Sequence, residues 1–150
     1  MQLADKETFL KYALPCGSVL VKRGTITQEQ LDLGLEADPT LFKVGFFMCE
    51  QAAKKLGKDA IDKEAIRQYF WLDHDKHLEH AEGDVDPRLC TVYPATYLGD
   101  NRVKTPIDER NVNISSTPNV KQGDYVTVHY SRTCEVITAE EFNRLWELKK

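Results

Sequence analysis

A chain of 150 residues that is 41% hydrophobic and 29% charged has the composition of ordinary globular protein, long enough for one core or two small ones. Its 20 Lys and Arg against 24 Asp and Glu give a formal charge of −4 with no basic stripe, which argues against DNA or RNA binding, because phosphate contacts dominate nucleic-acid affinity. No run approaches the roughly 20 apolar residues of a membrane span, and the opening Met1-Gln2-Leu3-Ala4-Asp5 is too polar for a signal peptide, so the expectation is a cytoplasmic protein without membrane partners.

The first half reads as helical. A helix is expected over residues 6–12, running toward Pro15, and a further turn over residues 18–22 ends at Gly24. Thr27 with Gln30 makes a capping box ahead of Leu31 and Leu35. Asp38, Pro39 and Thr40 start the next helix, over residues 41–56. There Val44, Phe46, Phe47, Met48, Cys49, Ala52 and Ala53 cover most of the circumference and predict a buried central helix, ended by Gly57. Phe46, Met48, Tyr69 and Phe70 are expected core members. The last helix of this half, over residues 63–81, is amphipathic through Ala65, Ile66, Tyr69, Phe70 and Leu72.

Acidic residues with Gly83 and Pro87 then end the helical pattern, and the period changes. The charge divides at the same place: residues 1–87 hold 11 Lys and Arg against 16 Asp and Glu, residues 88–150 hold 9 against 8. Strands are expected over residues 89–98, at Val103, at Val112 and Ile114, and over residues 125–130 and 133–137, separated by turns at Gly99-Asp100-Asn101 and Lys121-Gln122-Gly123-Asp124. Thr138 and Glu141 cap a final helix with Phe142, Leu145, Trp146 and Leu148 on one face. The fold class is therefore α+β. A helical bundle over residues 1–84 is followed, over residues 88–150, by a small, partly open β-barrel of the OB type with a terminal helix.

The second half carries a resemblance. Cys90-Thr91-Val92-Tyr93-Pro94, then Gly123-Asp124-Tyr125-Val126-Thr127-Val128-His129, then Ile137-Thr138-Ala139-Glu140-Glu141, follow the order of motifs in the HypC-like hydrogenase-maturation chaperones, and residues 88–150 resemble that family. The resemblance implies that Cys90 and His129 ligate an iron carrying cyanide and carbon monoxide, which is delivered between a partner scaffold protein and a hydrogenase large-subunit precursor. Cys90 lies behind 89 residues, which excludes any part for a free α-amino group. From the residues alone, a thiolate and an imidazole suit iron, copper or zinc, and equally make an activated nucleophile. The plainer alternative is a packed thiol beside a satisfied histidine.

A second candidate is the run Asp73-His74-Asp75-Lys76-His77-Leu78-Glu79-His80, which holds three of the four histidines. At about 100° per residue, Asp73, His77 and His80 fall on the side of Tyr69 and Leu72, with His74 at the edge, so a His/His/carboxylate metal site is one reading. Dipole-favoured histidines at a helix end with Asp73 as a local partner is the other. Cys16 beside Gly17 reads either as a thiol at a helix N-terminus, where its pKa would fall, or, preferred, as packed under the bundle. Cys49 on the apolar helix reads as core, and Cys134 on the last hairpin as packed, with an approach to His129 as the alternative. The four cysteines form no C-x-x-C pair, so neither a zinc ribbon nor a redox motif is indicated. Three function classes follow: a metallocentre-assembly or metal-carrier protein using iron or zinc, a non-catalytic interaction module, and an enzyme with Cys90 as nucleophile. The third lacks an oxyanion-hole or phosphate-cradling motif, and non-enzymatic readings are preferred.

Overall fold

The computed structural model describes every residue except Glu79, His80, Ala81, Glu82 and Asp84. The chain divides into two compact units, Met1–Pro87 and Arg88–Lys150. Helix and sheet are mixed, with a five-stranded antiparallel sheet and a C-terminal helix in the second unit.

In the first unit, strand β1 (Gln2–Leu3) precedes helices α1 (Lys6–Ala13), α2 (Gly17–Lys22), α3 (Gln28–Asp32) and α4 (Lys43–Lys55). Strand β2 (Ala60–Ile61), α5 (Lys63–Arg67), a π-helical segment (Gln68–Asp73) and α6 (His74–Leu78) complete it. Local chemistry sets the starts. Asp5 accepts the Thr8 amide at 3.0 Å, Thr27 and Gln30 cap each other reciprocally, and Asp62 accepts the Ala65 amide at 3.0 Å. The core is aromatic: Tyr12 stacks on Phe70 with ring centres 5.3 Å apart, and buried Trp71 donates its indole N–H to the Tyr12 hydroxyl at 2.8 Å.

Three expectations for this half need correction. The half is not purely helical, since β1 and β2 pair in parallel with Leu3 opposite Ile61. The central helix is buried on one face only: Cys49, Ala52 and Ala53 are buried, Phe46 and Met48 are half-buried, and Val44 and Phe47 are 59% and 57% exposed. The buried face of α4 is made of small residues, a narrower stripe than its apolar content suggests. The expected helix over residues 63–81 is interrupted by the π-helical turn, whose i→i+5 bonding winds less per residue than an α-helix and moves the described side chains from Leu72 to Leu78 off their forecast bearing.

The second unit begins at the helical turn α7 (Pro87–Cys90), whose proline closes the first unit. Strands β3 (Tyr93–Gly99), β4 (Arg102–Lys104), β5 (Glu109–Asn111), β6 (Tyr125–His129) and β7 (Arg132–Ile137) follow, then α8 (Ala139–Lys149). The expected strand start at Leu89 is thus a helical turn. Proline at a first helical position suits it, since its fixed φ is helical and its missing N–H would have had no partner there. The sheet order is β5-β4-β3-β6-β7, all antiparallel. Among the described residues β5 and β7 share no ladder. One parallel bridge, Asn113 to Arg132, carries the chain just beyond β5 across to β7. Val112 and Ile114 follow β5 rather than lie within it, and pack on the core of Ala95, Tyr97, Val103, Val126 and Val128.

Candidate thiol–imidazole site

Two local features bring one sulfur and one nitrogen together in Arg88–Lys150. Antiparallel pairing of β3 with β6 sets Tyr93 opposite Val128, so the chain entering β3 runs beside the end of β6. The Tyr130 amide donates to the Leu89 carbonyl at 2.8 Å, which ties α7 to that end. Cys90 and His129, one residue on from Leu89 and one back from Tyr130, then meet with Sγ and Nε2 3.5 Å apart. The cysteine is 5% exposed and the histidine 0%.

That separation is a sulfur–nitrogen hydrogen bond, and it is also the spacing of two donors on one ion. A thiolate at about 2.3 Å and an imidazole at about 2.0–2.1 Å from a tetrahedral centre stand roughly 3.5 Å from each other. Sγ and Nε2 are thus spaced as two of the donors that one metal ion takes. Burial strengthens the interaction of the pair and excludes competing water.

The other residues of the recurrent motifs have structural work. Gly123 adopts φ +93°, a left-handed conformation open to glycine. Asp124 accepts the Lys121 amide at 2.9 Å and so closes the turn. Tyr125 stacks on Phe142 of α8 with centres 4.2 Å apart, and Val126 and Val128 are fully buried. Only Cys90 and His129 in these motifs bring ligand chemistry to one point.

The turn after His129 is tight. His129 pairs with Arg132, leaving Tyr130 and Ser131 as a two-residue loop, and Tyr130 adopts φ +55°. Glycine or asparagine is the usual occupant of such a position. The Tyr130 ring lies against His129 with centres 5.4 Å apart. Its carbonyl accepts from Arg110 Nη1 at 2.8 Å. Arg110, on β5, is held in turn by Asp108 through Nε at 3.1 Å and Nη2 at 3.0 Å. Burial works against the Asp108 carboxylate, but hydrogen bonds from Thr105 and Arg110 and the charges of Arg110 and Arg88 outweigh it, so the carboxyl lies below its ordinary range. Sequence reading passed over Arg110. An Asp-x-Arg pair on a short edge strand carries no distinguishing signal before the strand is placed.

The second candidate cluster belongs to Met1–Pro87. Asp73 Oδ1 accepts from Gln68 Nε2 at 3.1 Å and pairs with Lys55 Nζ at 3.4 Å. His77 Nδ1 lies 3.0 Å from the Tyr69 hydroxyl. His74, expected at the edge, is instead 5% exposed against Tyr69 and Phe70, while Leu72 is 38% exposed. The π-helical turn accounts for this exchange of faces. Asp73 and His77 are directed to different partners, and His80 lies outside the described residues. Of the other thiols, Cys16 is half-buried, Cys49 and Cys134 are buried, and burial pushes the Cys49 thiol far up, so it stays protonated.

Comparison of the chain with protein families, with curated proteins and with solved structures finds no match.

Proposed function

We propose that Arg88–Lys150 is a metal-carrying module of the metallocentre-assembly kind, in which Cys90 and His129 hold ferrous iron or zinc for delivery to a protein partner. The observation that carries this reading is the buried 3.5 Å approach of Cys90 Sγ to His129 Nε2, at a spacing one ion can bridge. The resemblance of the Cys90, Gly123–His129 and Ile137–Glu141 motifs to the HypC-like hydrogenase-maturation chaperones supports it. On this reading the five-stranded sheet with α8 is a partly open barrel of the OB type, bridged at Asn113 and Arg132. The partner is a scaffold or a precursor subunit that receives the ion.

Anaerobic titration of the reduced full chain with Fe²⁺ or Zn²⁺ tests the reading. One equivalent should bind, and Cys90→Ala and His129→Ala should each abolish uptake. Equal uptake by the parent and Cys90→Ala would overturn it. A second reading, a protein-interaction module, is favoured by the exposed Val44 and Phe47 on α4. It predicts partner binding that is indifferent to Cys90 and His129 and is lost in Val44→Asp with Phe47→Asp.

A further inference from the structure

The guanidinium of Arg110 is 8% exposed and reaches three things at once: the Asp108 carboxylate through two nitrogens, the Tyr93 ring with Cζ 5.9 Å from its centre, and the carbonyl of Tyr130 at 2.8 Å. A buried guanidinium directed at a backbone carbonyl fixes that carbonyl's orientation, because the fork is planar and Asp108 sets its plane. Asp108 is itself anchored, since the Thr105 hydroxyl donates to its Oδ1 at 2.6 Å. The carbonyl so fixed belongs to a residue at φ +55°, in a two-residue loop directly after His129.

A tyrosine does not hold a left-handed backbone by its own preference. Two hydrogen bonds hold it instead, from its amide to Leu89 and to its carbonyl from Arg110. Leu89 precedes Cys90 and Tyr130 follows His129, so the same small loop couples both donors of the site.

We infer that Arg110 is a positioning residue for the thiol–imidazole pair, keeping the β6–β7 turn in the left-handed form that sets His129 Nε2 against Cys90 Sγ. The inference adds a residue to the site of the proposed function and rests on that reading only for the metal arm of its test. Arginine is required here because lysine cannot grip Asp108 through two nitrogens while donating to the Tyr130 carbonyl.

The deciding experiment is metal-free and uses the full chain at one pH. Long-range ¹H–¹⁵N spectra report the His129 Nε2 signal, and Cys90→Ser serves as the probe of contact. In the parent protein Cys90→Ser should displace that signal; in Arg110→Gln and in Asp108→Asn it should displace it little or not at all. Adding Tyr130→Gly to Arg110→Gln should restore the displacement, since glycine adopts the left-handed turn unaided. Where Arg110→Gln fails to fold, Asp108→Asn, which keeps the arginine but loosens it, carries the comparison. Equal displacement with and without the Arg110–Asp108 pair, or none in the parent, would overturn the inference. In the metal arm, Co²⁺ replaces the natural ion, and Arg110→Gln should weaken its binding by about 10- to 100-fold, with recovery in Arg110→Gln/Tyr130→Gly. Failure of the parent to bind Co²⁺ sinks the metal reading and leaves the spectra to decide the role of Arg110.

Discussion

At the scale of single residues, the proposed site rests on two side chains that would supply chemistry and on a few that hold them. Cys90 and His129 were legible in the sequence because each sits inside a motif whose remaining residues have turn or core roles. Gly123 and Asp124 shape the turn, and Val126 and Val128 fill the core. Arg110, proposed to position Cys90 and His129, was not legible, because its contact with the Tyr130 carbonyl depends on strand pairing that places β5 near the β6–β7 loop. The Asp108–Arg110 pair has a definite pH dependence. Its carboxyl lies below the ordinary range in the folded protein, so the stability it contributes is fully present above the unfolded value of about 3.9, and is lost as pH falls through the lower folded value. The difference in unfolding free energy between the parent and Asp108→Asn should be flat above about pH 5 and shrink on acidification below about pH 4. Denaturant titrations at several pH values measure it. A difference that grows toward acid would contradict the assigned direction.

At the scale of elements, pattern reading succeeded where one period ran undisturbed and failed where it changed within an element. The capping boxes at Thr27 and Thr138 both form, because two residues three positions apart are enough to specify each. Thr138→Ala should therefore cost about 1 kcal/mol, read as a shift in chemical denaturation, and no shift would mean that α8 is held by packing alone. The forecast for residues 63–81 carried the α-helical angle through a segment that bonds i→i+5, and this misplaced His74 and Leu72. On α4, apolar content does not mean burial: four exposed or half-buried large residues, Val44, Phe46, Phe47 and Met48, accompany a contact face built from Cys49, Ala52 and Ala53. The energetic weight accordingly sits elsewhere. Phe9, fully buried against Phe70, should cost about 3–5 kcal/mol as Phe9→Ala, whereas Phe47→Ala should stay within about 0.5 kcal/mol. Comparable losses at the two positions in urea unfolding would refute this placement of the core.

At the scale of the whole molecule, the change of period near Pro87 and the shift in charge balance across it mark the division, and each unit has its own buried core. A two-residue parallel pair, β1 with β2, escaped the sequence because strands so short have no period to detect. Among the described residues no helix is long and apolar enough to cross a membrane. The central claim concerns one point in the second unit, the shared grip of Cys90 and His129 on a metal ion. Anaerobic Co²⁺ titration of the reduced full chain reads it most directly, because a thiolate ligand gives a sulfur-to-cobalt charge-transfer band and a tetrahedral site gives intense ligand-field absorption. The band should saturate at one equivalent in the parent and vanish in Cys90→Ala, the ligand-field absorption should collapse in His129→Ala, and Cys16→Ser, Cys49→Ser and Cys134→Ser report the contribution of the remaining thiols. A charge-transfer band of undiminished intensity in Cys90→Ala would contradict the account.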